Sequence, residues 1–319
     1  MSRAELVVGG HGVEPGARAE LELPVARLPS GAWVHMPVTV LRGQEAGPVL
    51  LVDAAVHGDE VNGVEILRRV LLQVRPEELT GDLIAVPVVN LFGFLHGTRY
   101  LPDRRDLNRH FPGRADGSLA SRIAHLFVEQ ILAPCTHCLD LHTGSLMRHN
   151  LPQVRGRLAE PETRRMAEAF AAPVMIESGE IEGSLRQTCV QRGIAVLCYE
   201  GGEPHRFAEE AVQVGTDGVL RCMRGIGLWH GTSPAVEKPS MEIRESRWLR
   251  APRSGICRLA VAAGEQVETG QPVAWIGDLS NEEDEPLIAE EAGIVIGHSL
   301  DPLKHMGDAV VHLGLPAMS

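Results

Sequence analysis

His57 and Glu60, three residues apart in Ala55-Val56-His57-Gly58-Asp59-Glu60-Val61-Asn62-Gly63, have a spacing that can bring two metal ligands to one turn. A catalytic zinc takes three protein ligands and keeps one position open for water, and two histidines with one glutamate are among its known sets. The chain must then supply a second histidine. The best candidate is His142 in Cys138-Leu139-Asp140-Leu141-His142-Thr143-Gly144, a short apolar run that stops at a glycine. Strand alternation puts Cys138, Asp140 and His142 on one face, where Asp140 can orient the ligand from behind. One carboxylate offsets only part of a zinc ion's charge, so such a set activates water near neutral pH. Amide hydrolysis also needs a base that takes the water's proton and returns it to the leaving nitrogen. Glu200 is the choice, at the end of Ile194-Ala195-Val196-Leu197-Cys198-Tyr199 and before Gly201 and Gly202, which permit close approach of backbone and substrate. Glu203 is the fallback.

These residues need strands that end at one place. Val49-Leu50-Leu51-Val52 reads as a buried strand, and Val61, Val64, Leu67, Leu71 and Val74 recur at helical spacing after it, so His57 and Glu60 sit at a strand-to-helix junction. In open α/β sheets that end of the strands is where ligands bind. A strand over 83–89 follows, and strand-helix-strand order argues for a sheet covered by helices. Trp33 to Val40 suggests an edge strand or hairpin leading into that sheet. The segment 90–117, rich in Gly, Pro, Asp and Arg, reads as a long functional loop. Next come a helix over 119–132, the strand ending at His142, a helix over 162–170, a strand over 174–176, a short helix after Gly183, the strand that delivers Glu200 and a helix over 206–224. Asp59 is given a structural job, bracing its turn or capping the helix.

A linker over 231–239 leads to an all-β region over 251–319. Its turn rhythm, Ser254-Gly255, Ala263-Gly264 and Thr269-Gly270, resembles the barrel-sandwich plan of lipoyl and biotinyl carriers. A carrier needs an exposed lysine on a hairpin, yet this region holds only Lys304, near its end. A structural or lid-like role is expected instead.

With 319 residues, 44% of them hydrophobic, the chain can bury one large core and has room for a second, smaller one. A formal net charge of -12 argues against a nucleic-acid partner, which would need a gathered basic face. No apolar run approaches the roughly 20 residues that span a bilayer. Met1-Ser2-Arg3-Ala4-Glu5 lacks a signal-peptide layout, so no membrane association and a cytoplasmic location are expected. The six cysteines are then reduced thiols. Cys135-Thr136-His137-Cys138 has the gap of a zinc or redox pair, but no second pair completes a structural site, and buried, inert thiols are expected.

His57-Gly58-Asp59-Glu60, Asp106-Leu107-Asn108-Arg109, Asp140-Leu141-His142-Thr143-Gly144 and Glu200-Gly201-Gly202 occur in that order. On these four motifs the chain resembles the succinylglutamate desuccinylase and aspartoacylase family, over roughly residues 20–230. The resemblance implies a zinc carboxypeptidase-like catalytic domain over 1–232, a three-layer α/β/α sandwich with a mixed sheet, and a small C-terminal β domain over 240–319. It implies one zinc per chain on His57, Glu60 and His142, with Glu200 shuttling the proton. It also implies Arg99 facing the oxyanion, although Arg104 or Arg105 in the same loop can fill that role. Asn108 and Arg109 would grip a substrate carboxylate beside the scissile amide, a match for the flat guanidinium fork. A loop held by pairing of Asp106 with Arg109 is the plainer alternative.

The implied partner is a small N-acyl amino acid, with acyl group and amino acid open. Relatives include deacetylases of diaminobutyrate made during ectoine breakdown. Two rivals stand beside this reading: a zinc carboxypeptidase acting on short peptides, and a non-catalytic binding protein with a vestigial metal site. Oligomeric state is open, a homo-oligomer being one outcome. His149 and His205 follow motif segments and are candidates to line the pocket.

Overall fold

The apolar runs become four neighbouring parallel strands, in the spatial order Thr80–Val86, Glu45–Ala54, His137–His142 and Ala195–Gly202. This computed structural model describes residues 3, 5–236, 238–279 and 284–316. Alternate strand residues enter different cores. Leu51, Ile84, Cys138 and Val196 pack with helices Leu119–Phe127 and Leu185–Gln191. Leu50, Val52, Leu83, Leu139 and Leu197 pack with helices Asn62–Gln73, Pro161–Phe170 and Glu209–Gly225. Burial on both faces is why these strands are apolar throughout rather than alternating.

On one side the sheet continues antiparallel through the hairpin Trp33–Arg42 and Arg18–Arg27, as the sequence suggests. On the other, Ala195–Gly202 pairs antiparallel with Arg148–Gly156, which starts a closed ring of strands. From Arg148–Gly156 the ladder runs to Val174–Glu177, Met241–Arg250, Ala309–Pro316 and Gly293–Ser299, and the last pairs back with the first through Gly297 and Asn150. Strands after residue 240 are thus hydrogen-bonded into the main sheet. A further four-stranded sheet packs on them through Val273, Ile276, Val295, Val311 and Leu313.

Several expectations need correction. The strand Arg148–Gly156 has no counterpart in the sequence reading, because Pro152 and five polar side chains (Arg148, His149, Asn150, Gln153, Arg155) hide its alternation. The segment 90–117 is no bare loop: it carries helix Leu91–His96, capped where Gly93 N–H donates to Asn90 Oδ1 at 2.8 Å, and a 3-10 turn, Leu107–Arg109. The helix expected over 119–132 changes to a π turn at Val128–Leu132. The last helix starts at Glu209, not 206, and just before it Asn62 Oδ1 accepts the Ala208 N–H. Asp59 does not cap its helix; Val61 holds the cap position without a side-chain bond.

The expectations for the cysteines and for Lys304 hold. The six cysteines are free and buried. Lys304 is buried and donates to Ser299 Oγ at 2.6 Å, so it offers no attachment point. Among the described residues no helix is long and apolar enough to cross a membrane.

Candidate active site

The sheet register assembles the site. His142 and Glu200 are direct partners on adjacent parallel strands, so both side chains leave the same end of the sheet on the same face. Glu45–Ala54 ends beside them and delivers His57 and Glu60 in the next turn. That turn packs hard against helix Leu91–His96: a Cβ on Gly58 would lie 1.9 Å from the Gly93 carbonyl carbon. Gly58→Ala is therefore expected to cost about 1–3 kcal/mol of stability by overpacking, seen as a lower Tm; an unchanged Tm would show that the turn is not fixed by this contact.

His57, Glu60 and His142 are buried, and one ligand atom from each lies within 4.8 Å of the others. Both Nδ1 atoms face the Glu60 carboxylate, His57 at 2.9 Å from Oε1 and His142 at 2.8 Å from Oε2. The His57 contact is not aligned as a hydrogen bond, which leaves its Nδ1 buried without a partner. An orphaned nitrogen beside a carboxylate and a second imidazole suits a shared cation. The far nitrogens face carboxylates: His57 Nε2 bonds with Asp106 Oδ1 at 3.1 Å, and His142 Nε2 lies 2.7 Å from Asp140 Oδ1 in a contact not aligned as a hydrogen bond. This is how ligating imidazoles are commonly oriented.

Electrostatics agree. Burial works against a proton on His57, but Glu60 and Asp106 outweigh it and raise its pKa. Burial also opposes a proton on His142, and Asp140, Cys198 and Glu60 lift it well above the usual histidine range. For Glu60, burial opposes the charge, and the two imidazoles still hold its carboxyl far below the usual carboxylate range. The cluster gathers positive charge, as protons on the rings or as a metal ion that displaces them. A second possible ligand group, Asp140, His142 and Cys198, shares His142. Burial pushes the Cys198 thiol up to about 12, which favours the first set.

The cluster opens into a cavity of about 220 Å³. Glu200 lines it, its Oε2 accepting from Asn150 Nδ2 at 2.5 Å. Arg109, Arg155 and Arg186 line it too. Arg99 reaches in beside the cluster, with Nη1 3.2 Å from Glu60 Oε1 and Nη2 2.8 Å from Asp106 Oδ2.

Residues 46–226 match the succinylglutamate desuccinylase/aspartoacylase catalytic domain. The chain belongs to this family. It is 30% identical over 305 residues to an N-alpha-acetyl-L-2,4-diaminobutyric acid deacetylase of Halomonas elongata, covering 91% of this chain and 89% of that protein. It is 32% identical over 216 residues to a succinylglutamate desuccinylase of Pseudomonas aeruginosa, 62% of this chain and 64% of the relative. The crystal structure of a succinylglutamate desuccinylase/aspartoacylase from Rhodobacter sphaeroides superposes with a TM-score of 0.84 at 29% identity, over 94% of this chain and 96% of that one.

In this member of the family, the structure brings together His57, Glu60, His142, Glu200, Arg99, Asn108 and Arg109 around one cavity. Of the three loop arginines, Arg99 is the one that reaches it; Arg105 pairs with Asp103 at 3.2 Å, and Arg104 is exposed. Asp106 pairs with Arg99 and His57 rather than with Arg109. Asn108 Oδ1 accepts the Leu185 N–H at 2.8 Å, which ties the loop to the next helix. Gly201 and Gly202 serve packing rather than substrate, since a Cβ there would meet Tyr199 Oη at 2.4 Å or Ala208 Cβ at 2.7 Å. Glu203 pairs with His149 and Arg206, and neither it, His149 nor His205 lines the cavity. The sequence reading missed Arg155 and Arg186; their signal was an arginine facing a cavity from elements whose pairing lies far off in the chain.

Proposed function

We propose that this protein is a zinc-dependent amidohydrolase that cleaves the linear amide of an N-acyl amino acid. The observation that carries this is the convergence of buried His57, Glu60 and His142 beside Glu200, in a cavity also lined by the carboxylate of Asp140 and by Arg99, Arg109, Arg155 and Arg186. Names borne by relatives, desuccinylase and diaminobutyric acid deacetylase, agree with that reaction class. In this reading the helical layers and central sheet form the three-layer catalytic domain over 1–232, and the strands over 240–319 form a C-terminal β domain.

His57, Glu60 and His142 would hold the ion, which supplies Lewis acidity toward the attacking water and the acyl carbonyl. Asp106 and Asp140 fix the two imidazole rings. Glu200, steadied by Asn150, takes the water's proton and returns it to the leaving nitrogen. Arg99 offsets negative charge as it develops on the carbonyl oxygen. Asn108, whose Oδ1 is already engaged, presents its amide N–H groups with the Arg109 guanidinium to the substrate carboxylate.

The test is a hydrolysis screen of the zinc-loaded protein over N-acyl amino acids and short peptides. Turnover of N-acyl amino acids well above that of peptides is expected. Preferential release of C-terminal residues from peptides would make the protein a carboxypeptidase, and no turnover of either class would favour a binding protein.

A further inference from the structure

The cavity around Glu200 continues into a smaller one of about 120 Å³. Ser145, Arg155 and Glu200 belong to both, whereas Arg148, Trp248 and His312 line only the side cavity. Apart from Ser145 and Glu200, its walls come from three strands of the closed ring, Arg148–Gly156, Met241–Arg250 and Ala309–Pro316. Roughly 10–15 Å³ of such space admits one water, so a short chain of atoms fits.

Its charge is one-sided. Arg155 donates from Nη2 to the neutral Gln153 Oε1 at 3.2 Å, and its Nε is buried without a partner. Arg148 lies over the Trp248 ring, 4.8 Å from its centroid, and Trp248 in turn stacks on His312 at 4.6 Å. Among the described residues neither arginine has a carboxylate partner within ion-pair distance. Burial first, and then the two guanidinium groups, push His312 down to about 3, so its ring is neutral and adds no charge near pH 7. The one acid at hand is Glu200, already bonded to Asn150. Arg155 is half-buried, but its Nε is shut off from water and unbonded, which is costly unless an anionic group completes it.

Direction follows from which walls are shared. Arg109 and Arg186 line the main cavity and are absent from the side cavity. A ligand that fills both therefore runs two ways from Glu200, one arm toward Arg109 and Arg186, the other toward Arg155 and Arg148. We propose that the side cavity is a second anion subsite, that Arg155 is its specificity-determining residue, and that the acyl group carries a terminal carboxylate, as a succinyl-type acyl group does. This rests on the hydrolase reading, in which the first arm takes the amino acid's own carboxylate. It departs from the acetyl group in the name of the Halomonas elongata relative.

The experiment holds the amino acid constant, using whichever the screen finds best, and compares N-acetyl, N-succinamoyl and N-succinyl forms on wild type, Arg155→Gln and Arg155→Lys. Succinamoyl keeps the length and removes the charge. A charge-assisted bond to the terminal carboxylate predicts kcat/KM about 10–100-fold higher for succinyl than for succinamoyl. R155Q abolishes that preference, its loss falling mainly on the succinyl substrate, and R155K restores part of it. Calorimetric titration of the zinc-loaded protein with succinate and succinamate gives a readout without turnover: wild type prefers succinate, and R155Q does not. Arg148→Gln stands in if R155Q fails to fold.

Equal loss on all three substrates, or a wild type that prefers acetyl and binds both titrants alike, overturns the subsite. Absence of all turnover, together with Arg155-dependent succinate binding, overturns the hydrolase reading and leaves the anion subsite standing.

Discussion

Chelation of the bound metal is expected to abolish hydrolysis, and one equivalent of zinc per chain to restore it. Two imidazoles, one carboxylate and their two carboxylate supports are buried in one cluster, and no other described group of three ligand-type residues lies clear of it. The loss should therefore be total rather than partial. Stability should move with it, since an ion that binds only the folded state adds about 2.7 kcal/mol at a concentration 100-fold above its Kd. Thermal unfolding of the stripped and reloaded protein measures this, with the higher Tm expected on reloading. Full activity in a protein shown to be metal-free would remove the cluster from catalysis.

Glu200→Gln is expected to lower kcat by about 10²–10⁴-fold, the usual worth of general acid–base catalysis, with little change in KM. The substitution keeps shape and removes the ability to carry a proton. Asn150 Nδ2 would still find an oxygen, so the fold and zinc content should survive. The measurement is steady-state kinetics on the best substrate of the screen, with zinc content determined on the same preparation. Turnover at the parental rate would remove Glu200 from the mechanism and point to a base outside the two strand ends.

The residues that gather at the cavity were more legible in the sequence than the strands that carry them, for physical reasons. His142 and Glu200 lie at the ends of apolar strands of a doubly covered sheet and His57 in the turn just after another, and such strands announce themselves as unbroken runs such as Val49 to Val52. The strand Arg148–Gly156 gave no such signal. Its neighbours are Ala195–Gly202, Val174–Glu177 and Gly293–Ser299, and the last lies about 150 residues away, so tertiary pairing decides a segment whose local pattern is polar. Asn150 and Arg155, both on that strand, were invisible for the same reason. Helix Leu91–His96 was lost among turn residues although Asn90 caps it and Gly97 ends it in the left-handed region, at φ 57°. Asp59 shows the reverse error: a residue type common at helix starts sits buried, with Oδ1 unpartnered and its backbone carbonyl accepting from His205. Choosing Arg99 over Arg104 and Arg105 needed coordinates, because a loop of three arginines carries no periodicity from which direction can be read.

The most direct test is equilibrium dialysis of the stripped protein against zinc, run in parallel on wild type and Glu60→Ala with folding checked by circular dichroism. One zinc per wild-type chain, and loss of that site in a folded variant, is the predicted result. Equal zinc binding by the two proteins would contradict the assignment of His57, Glu60 and His142 as the metal centre.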